Sequence, residues 1–139
     1  MSLVVDASVV VKWFVAEARS DAARSVLGSG ERLLAPDLVV PEVCNAVWKK
    51  LRRGEVTPEQ AAAAASGVHA VLDQTVPTAG LAARALDLAR RGNHPVYDCF
   101  YLALAEVVGC DVVSDDACLE ELPRTLNLEI RVRPLAPRG

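Results

Sequence analysis

Short apolar runs alternate with amphipathic stretches along this chain, and an acid or a turn residue follows most of the runs. Uninterrupted apolar runs of this length are typical of strands buried inside a sheet. The pattern predicts strands at 2–6, 32–35 and 110–114, a brief strand at Val76, and an alternating edge strand at 129–133. Apolar residues at helical spacing predict helices at about 8–16, 20–27, 37–53, 57–73, 78–91, 96–108 and 116–122. Because strands and helices alternate, we expect an α/β fold with a central parallel β-sheet flanked by α-helices.

Composition narrows the class of protein. The 139 residues are 52% hydrophobic and 24% charged, as in an ordinary globular chain, and they predict a single domain over 1–139. The net charge of -3 argues against nonspecific coating of nucleic acid, but a local basic stripe is compatible with it. The four cysteines form no C-x-x-C pair, which favours reduced, buried thiols. No stretch approaches the roughly 18 apolar residues of a membrane span, so we expect a cytoplasmic protein.

Four acids lie in apolar surroundings, unlike most acids of the chain: Asp6, Glu42, Asp98 and Asp116. Two follow predicted strands and two lie near predicted helix starts, and a parallel sheet brings such positions to one rim. Each acid alone has an ordinary explanation, as a turn or cap residue or as a partner of a helix dipole. Together they favour a hard cation such as Mg²⁺ or Mn²⁺, because clustered carboxylates repel one another without one.

The same acids lie in four ordered segments that resemble a known family. The segments are Val4-Val5-Asp6-Ala7-Ser8-Val9, Pro36-Asp37 to Cys44-Asn45 around Glu42, Tyr97-Asp98-Cys99-Phe100-Tyr101-Leu102-Ala103-Leu104-Ala105, and Val113-Ser114-Asp115-Asp116. Their order and spacing resemble the PIN-domain nucleases, above all the VapC-like toxins of bacterial and archaeal toxin–antitoxin pairs. Each motif alone is weak, whereas the ordered set is specific and spans essentially the whole chain.

The resemblance implies a three-layer PIN-like fold, Mg²⁺ or Mn²⁺ dependence, cleavage of single-stranded or structured RNA, a homodimer and a small antitoxin partner. By position, the acidic quartet of the family corresponds to Asp6, Glu42, Asp98 and Asp116. Its accompanying polar residues correspond to Ser8, Ser114 and Asn45. Many relatives have a neutral residue at the position of Asp115, so the fourth acid is Asp115 or Asp116, and we prefer Asp116.

The predicted chemistry is metal-assisted hydrolysis of an RNA phosphodiester bond. We expect Asp6 and Asp98 to be the main metal ligands. Glu42 and Asp116 would bind through water, hold a second ion or orient the attacking water. Ser8 is interpreted either as a residue that orients Asp6 or as the N-cap of the next helix, and the two roles are compatible.

One helix face suggests a path for the RNA backbone. At 100° per residue, Lys49 and Arg53 each fall within about 20° of Glu42, so a carboxylate end leads to a cationic end. The alternative is a solvated face whose cations meet the helix dipole, and it is preferred for Lys50 and Arg52.

The histidines and tryptophans carry less information. Neither histidine has the spacing of a metal ligand, and His94, just before Pro95, is interpreted as a helix-start residue. With only 4% aromatic residues, a base-stacking platform is not expected, so Trp13 and Trp48 are interpreted as core or interface residues.

Other acid-rich α/β proteins fit the sequence less well. Phosphatases with an aspartate nucleophile carry a second Asp two residues after the first, where this chain has Ser8. Phospho-receiver domains need a Lys after a late strand, and no Lys follows Lys50. The remaining alternatives are a catalytically inactive PIN-like protein-binding module and a housekeeping nuclease that is not a toxin.

Overall fold

The computed structural model describes residues 1–136, and at their centre lies one sheet of five parallel strands. The strands are β1 (Ser2–Val5), β2 (Arg32–Pro36), β3 (Gln74–Val76), β4 (Asp111–Ser114) and β5 (Val132–Pro134). Their order in the sheet is β3-β2-β1-β4-β5, and every neighbouring pair is parallel. The predicted parallel α/β sheet is therefore confirmed.

The chain builds outward from the central strand β1 in two directions. It first adds β2 and β3 on one side, and then crosses back to place β4 and β5 on the other. Val4 therefore pairs with Leu34 on one side and with Val112 on the other. The gap between β1 and β4 is the switch point of the sheet, where α/β folds open a ligand crevice at the carboxyl ends of the strands.

Seven helices in the described part of the chain connect the strands and complete a three-layer fold. They are α1 (Ala7–Phe14), α2 (Ser20–Leu27), α3 (Val39–Arg52), α4 (Pro58–Val71), α5 (Ala82–Gly92), α6 (Val96–Val108) and α7 (Ala117–Thr125). α1 packs against α2, α3 and α4, whereas α6 packs against α5 and lies on β1, β2 and β4. Every residue of α6 from Tyr101 to Ala105 is buried, which makes α6 the main cover of the sheet on its side.

Local sequence explains where several helices begin and end. At the start of α4, Thr57 Oγ1 accepts a bond from Gln60 N, and the Gln60 side chain accepts one from Thr57 N. This reciprocal pair of bonds is a capping box, which Thr at the N-cap and Gln three residues later favour. α5 ends at Asn93, whose φ of 46° is left-handed, and α6 ends at Gly109, with φ of 78°. Asn and Gly tolerate this conformation best.

Three local predictions are wrong. The last strand is 132–134 rather than 129–133, because its ladder with the short strand β4 begins only at the pair Val112 and Val132. α7 continues to Thr125, through Pro123, rather than ending at 122. Ser8 does not cap α1, since Asp6 occupies the N-cap position and makes no side-chain cap bond.

The cysteines and tryptophans lie at different depths. All four cysteines are free thiols, but the expected burial is wrong for Cys118, which is exposed. Trp13 packs against the core and its Nε1 donates to Ala23 O at 2.8 Å. Trp48 is not in the core, because half of its surface is exposed and the Arg52 guanidinium lies 4.9 Å from its ring.

No helix within residues 1–136 is both long and apolar enough to cross a membrane.

Candidate active site

Asp6 lies directly after β1, at the switch point of the sheet. Its backbone N donates to Val113 O of β4 at 3.0 Å, so the sheet fixes its position. Only 5% of the residue is exposed. Its Oδ2 accepts hydrogen bonds from Ser8 Oγ at 2.6 Å and from Ser114 Oγ at 2.9 Å. Two hydroxyls, one from α1 and one from β4, therefore hold a single carboxylate oxygen.

The same hydroxyls connect Asp6 to the loop between β4 and α7. Ser8 Oγ accepts a bond from Asp115 N, and Ser114 Oγ accepts one from Asp116 N, both at 3.0 Å. Loop backbone, hydroxyls and carboxylate thus form one connected unit. Of the two interpretations of Ser8, this geometry supports the one in which it orients Asp6.

Glu42 reaches the site from the first turn of α3. Tyr101 Oη, on α6, donates to Glu42 Oε1 at 2.6 Å. Tyr101 is fully buried, so its ring and hydroxyl have a fixed position. This bond links α3 to α6 at the acidic site, and it involves only Oε1 of the two carboxylate oxygens of Glu42.

Asp98 lies in the first turn of α6, beneath the same rim. Its Oδ2 lies 2.7 Å from His94 Nε2, four residues earlier in the chain. An ionised carboxylate can only accept a hydrogen bond, so the imidazole donates through Nε2.

The charges of Asp6, Glu42 and Asp98 influence one another. Burial raises the pKa of Asp6, against the hydrogen bonds from Ser8 and Ser114, and the charge of Asp98 raises it further. Burial is also the main reason that the pKa of Glu42 rises to about 7. The Tyr101 bond opposes that rise, while the charges of Asp6 and Asp98 add to it. Within residues 1–136, neither Asp6 nor Glu42 forms an ion pair with Lys or Arg.

Asp115 and Asp116 have different surroundings. Both carboxylate oxygens of Asp115 bind the Arg19 guanidinium, at 2.8 and 2.7 Å, and Lys12 Nζ lies 3.3 Å away. The Arg19 hydrogen bonds are the main cause of a lowered pKa at Asp115. Asp116 is the N-cap of α7, where its Oδ1 accepts from Cys118 N at 2.9 Å. Asp115 is thus held by cations, and Asp116 is the better candidate for a fourth acid of the site.

The polar residues along α3 divide into two sets. Asn45, Lys49 and Arg53 are exposed, and Arg53 lies 3.7 Å from Glu55. Lys50 instead binds Glu17 at 2.7 Å, and only 18% of its side chain is exposed, so it does not lie on a solvated helix face. Among the described residues, Lys49 has no ion-pair partner.

Comparison with known proteins identifies the family. The sequence profile of the PIN domain matches residues 3–124, which is most of the chain. The chain belongs to the PIN-domain family. Ribonuclease VapC3 of Pyrobaculum aerophilum is 32% identical over 123 residues, covering 87% of this chain and 94% of that protein. The VapC-like resemblance expected from the ordered motifs is confirmed.

Two solved structures share the PIN fold. PAE2754 from Pyrobaculum aerophilum superposes with a TM-score of 0.73 at 23% identity, covering 97% of this chain and 84% of that one. VapC20 of Mycobacterium tuberculosis, described as a sarcin–ricin loop cleaving toxin, gives a TM-score of 0.69 at 19% identity. That match covers 94% of this chain and 99% of VapC20.

The donor chemistry of this PIN site fits a hard divalent cation. Asp6, Glu42 and Asp98 offer only oxygen, and their electrostatic coupling without a Lys or Arg partner among the described residues is the condition that a cation relieves. Within residues 1–136, no three Asp, Glu, His or Cys side chains already stand in a metal-binding arrangement. Mutual repulsion of carboxylates opposes such an arrangement when no cation is bound.

Sequence reasoning missed several partners in this PIN site. His94 was interpreted as a helix-start residue, although its spacing of four from Asp98 is the signal that could have paired them. Tyr101 was quoted only as part of an apolar motif, and no local signal connects it to Glu42, 59 residues away. Arg19 gave no signal either, because it meets Asp115 across 96 residues.

Proposed function

We propose that this protein is an endoribonuclease that depends on Mg²⁺ or Mn²⁺ and hydrolyses RNA phosphodiester bonds. The observation that carries the proposal is the group of Asp6, Glu42 and Asp98, in which burial above all, and the charges of neighbouring carboxylates in addition, raise the pKa values of Asp6 and Glu42. Such a group is an unfavourable arrangement for a purely structural role. Similarity to Ribonuclease VapC3 supports the same reaction class.

In this proposal the four acids have two kinds of role, direct metal ligand and water-mediated partner. Asp6 and Asp98 are the main ligands of the cation, and Glu42 and Asp116 bind through water, hold a second ion or orient the attacking water. When bound, the cation supplies Lewis acidity that activates water and neutralises charge on the phosphate. Ser8 and Ser114 keep Asp6 in position through their hydrogen bonds to Oδ2. The proposed hydrolysis needs no covalent nucleophile, and the Ser8 hydroxyl serves to hold Asp6 and the backbone N of Asp115.

The exposed side of α3 is the proposed path of the RNA. Asn45, Lys49 and Arg53 lie on it, beginning one turn after Glu42. A phosphate backbone that leaves the acids would meet the Lys49 ammonium and the Arg53 guanidinium in turn. The chemistry requires phosphates at the site but fixes no base sequence. Similarity to Ribonuclease VapC3 supports RNA, in single-stranded or structured form, as the substrate.

The biological role proposed is that of a toxin in a type II toxin–antitoxin pair. The support is similarity to a VapC protein over 94% of its length. In this role the protein is a cytoplasmic homodimer that a small antitoxin protein neutralises.

RNA cleavage in the presence of Mg²⁺ or Mn²⁺, with and without EDTA, tests the reaction. We expect cleavage that EDTA abolishes and that Asp6→Asn and Asp98→Asn each abolish. Cleavage that survives EDTA and both substitutions would refute the proposed mechanism. Mapping of RNA ends after induced expression then identifies the substrate.

Growth measurements separate the remaining possibilities. Arrest on induction that Asp6→Asn abolishes supports the toxin role. Cleavage without growth arrest favours a housekeeping nuclease, and the absence of both favours an inactive binding module.

A further inference from the structure

His94 occupies a position that its neighbours in the chain fix closely. Its backbone N donates to Ala89 O at 3.1 Å, at the end of α5. Asn93 before it is left-handed, with φ of 46°, and Pro95 after it restricts His94 to extended conformations. The backbone of His94 is therefore held in place immediately before α6, and this fixes the Cα position from which the imidazole extends.

The contact between His94 and Asp98 is short and partly shielded from water. Nε2 lies 2.7 Å from Asp98 Oδ2, within the range of a charge-assisted hydrogen bond. Side-chain exposure is 12% for His94 and 23% for Asp98. Shielding of this degree lets the bond hold a fixed geometry, which fully exposed pairs seldom do.

Asp98 lacks the backbone donor that ordinarily holds an acid at its position. It is the third residue of α6, from which a carboxylate reaches back to the backbone N–H of the N-cap residue. The N-cap residue here is Pro95, which has no N–H. The bond to His94 selects the conformation in which Oδ2 points to the imidazole and Oδ1 is left for another partner.

We propose that His94 is a positioning residue for Asp98 and thereby sets the affinity of the acidic site for a divalent cation. The inference rests on the proposed function, because it assumes that Asp98 ligates that cation. Hydrogen bonds to ligating carboxylates fix the orientation of the carboxylates, and their removal typically weakens metal binding about 10- to 100-fold. His94 itself does not touch the cation or the RNA.

Binding of Mn²⁺ to the full-length, metal-free protein, measured by calorimetry without RNA, tests this inference. We expect His94→Ala and His94→Phe to lower Mn²⁺ affinity about 10- to 100-fold. His94→Gln should retain most of the affinity, because its amide can donate to Asp98 Oδ2 from a similar place. His69→Ala is the matched control, since His69 is exposed on α4, and it should bind Mn²⁺ as the wild type does.

Stability and kinetics separate positioning from folding. His94→Phe keeps the ring volume without a donor, so a difference between the Phe and Gln variants reports the hydrogen bond. Their metal-free melting temperatures should agree within about 4 °C. In RNA cleavage, His94→Phe should need more Mn²⁺ for half-maximal rate, while its kcat at saturating Mn²⁺ stays close to that of the wild type.

The outcomes also separate this inference from the proposed function. If Mn²⁺ binds His94→Phe as tightly as the wild type while Asp98→Asn loses binding, His94 has no positioning role. The same conclusion follows if His94→Gln is as weak as His94→Phe. If the wild type binds no Mn²⁺, or if Asp98→Asn binds it unchanged, the metal site itself is refuted.

Discussion

Two groups of acids lie at the same rim of the sheet, and they have opposite electrostatic surroundings. The uncompensated cluster, in which no described Lys or Arg pairs with an acid, consists of Asp6, Glu42 and Asp98. The paired cluster consists of Glu17 and Asp115 with their cationic partners Lys12, Arg19 and Lys50. The clusters are neighbours, because Ser8 Oγ binds Asp6 in one and the backbone N of Asp115 in the other.

The pKa values show what separates the clusters. In the paired cluster burial acts to raise the pKa of Glu17, but hydrogen bonds from Lys12 and Lys50 outweigh burial and lower it. In the uncompensated cluster burial raises the pKa of Glu42 to about 7, because no basic side chain opposes it. Burial therefore does not by itself mark a candidate ligand. A candidate ligand is marked by burial without a Lys or Arg partner. Asp115 has such partners, Arg19 and Lys12, and therefore belongs to the framework rather than to the site.

The largest contrast is expected between Asp6→Asn and Asp115→Asn. Asp6→Asn removes a proposed metal ligand, and since metal binding contributes several kcal/mol to catalysis, the cleavage rate should fall on the order of 10³-fold or more. Asp115→Asn should keep the rate within about tenfold but lower the free energy of unfolding by about 1–3 kcal/mol, because it weakens bonds to charged groups. RNA cleavage and urea unfolding measure the two effects.

Asp6→Asn should not destabilise the metal-free protein, because it removes a buried charge near Asp98. Circular dichroism checks that both variants are folded. If Asp115→Asn lost activity as completely as Asp6→Asn, with its stability intact, the division into two clusters would be wrong.

The pH dependence of stability is the next largest effect. The pKa of Glu42 rises from 4.5 to about 7 on folding, so between these pH values the folded protein holds a proton that the unfolded chain has released. The free energy of unfolding of the metal-free protein should therefore fall as pH rises through this window, by at most about 3 kcal/mol from Glu42. Mg²⁺ should restore stability increasingly toward pH 7, because it binds the ionised form.

Urea unfolding at several pH values, with and without Mg²⁺, measures this dependence. Glu42→Gln is the control and should flatten the curve over this range. A metal-free protein whose stability increases between pH 4.5 and 7 would contradict the assignment of Glu42 to the uncompensated cluster.

A smaller effect is expected from Tyr101→Phe. The Tyr101 hydroxyl lowers the pKa of Glu42 and fixes Oε1, so its removal should make Glu42 harder to ionise. We expect Mn²⁺ affinity near pH 7 to fall about tenfold and to recover in part at higher pH. Calorimetric titrations at pH 7 and pH 8.5 measure this, and equal affinity in both proteins at pH 7 would exclude a role for the hydroxyl.

The smallest effect compares two adjacent lysines on α3. Lys49→Ala should weaken RNA binding a few-fold and reduce the salt dependence by about one phosphate contact. Lys50→Ala should leave RNA binding nearly unchanged, because its ammonium already binds Glu17 at 2.7 Å. Binding to a fluorescent RNA at several salt concentrations measures both, and equal losses would remove Lys49 from the proposed path.

Most of the elements could be predicted from the sequence because their signals are local. The strand that ends at Asp6, the capping box at Thr57 and the helix stop at Gly109 each depend on a few adjacent residues. The last strand was placed three residues early, since its start depends on pairing with β4 rather than on its own alternation. From the sequence, Ser8 could be a helix cap or a residue that orients Asp6. Its bond to Asp6 and the position of Asp6 as the N-cap of α1 favour the second role, and its contacts across 106 and 107 residues tie it to β4 and the following loop.

The sequence by itself determined the α/β pattern and the four acids in apolar surroundings, because periodicity and composition are properties of the chain. It also carried the PIN resemblance, through the order and spacing of the motifs. Only the tertiary structure decided which acids are compensated. Arg19 and Lys12 meet Asp115, whereas Glu42 meets the Tyr101 hydroxyl rather than a Lys or Arg, and both arrangements depend on how the layers pack. Charge compensation is a property of distances in space, and the sequence records distances only along the chain.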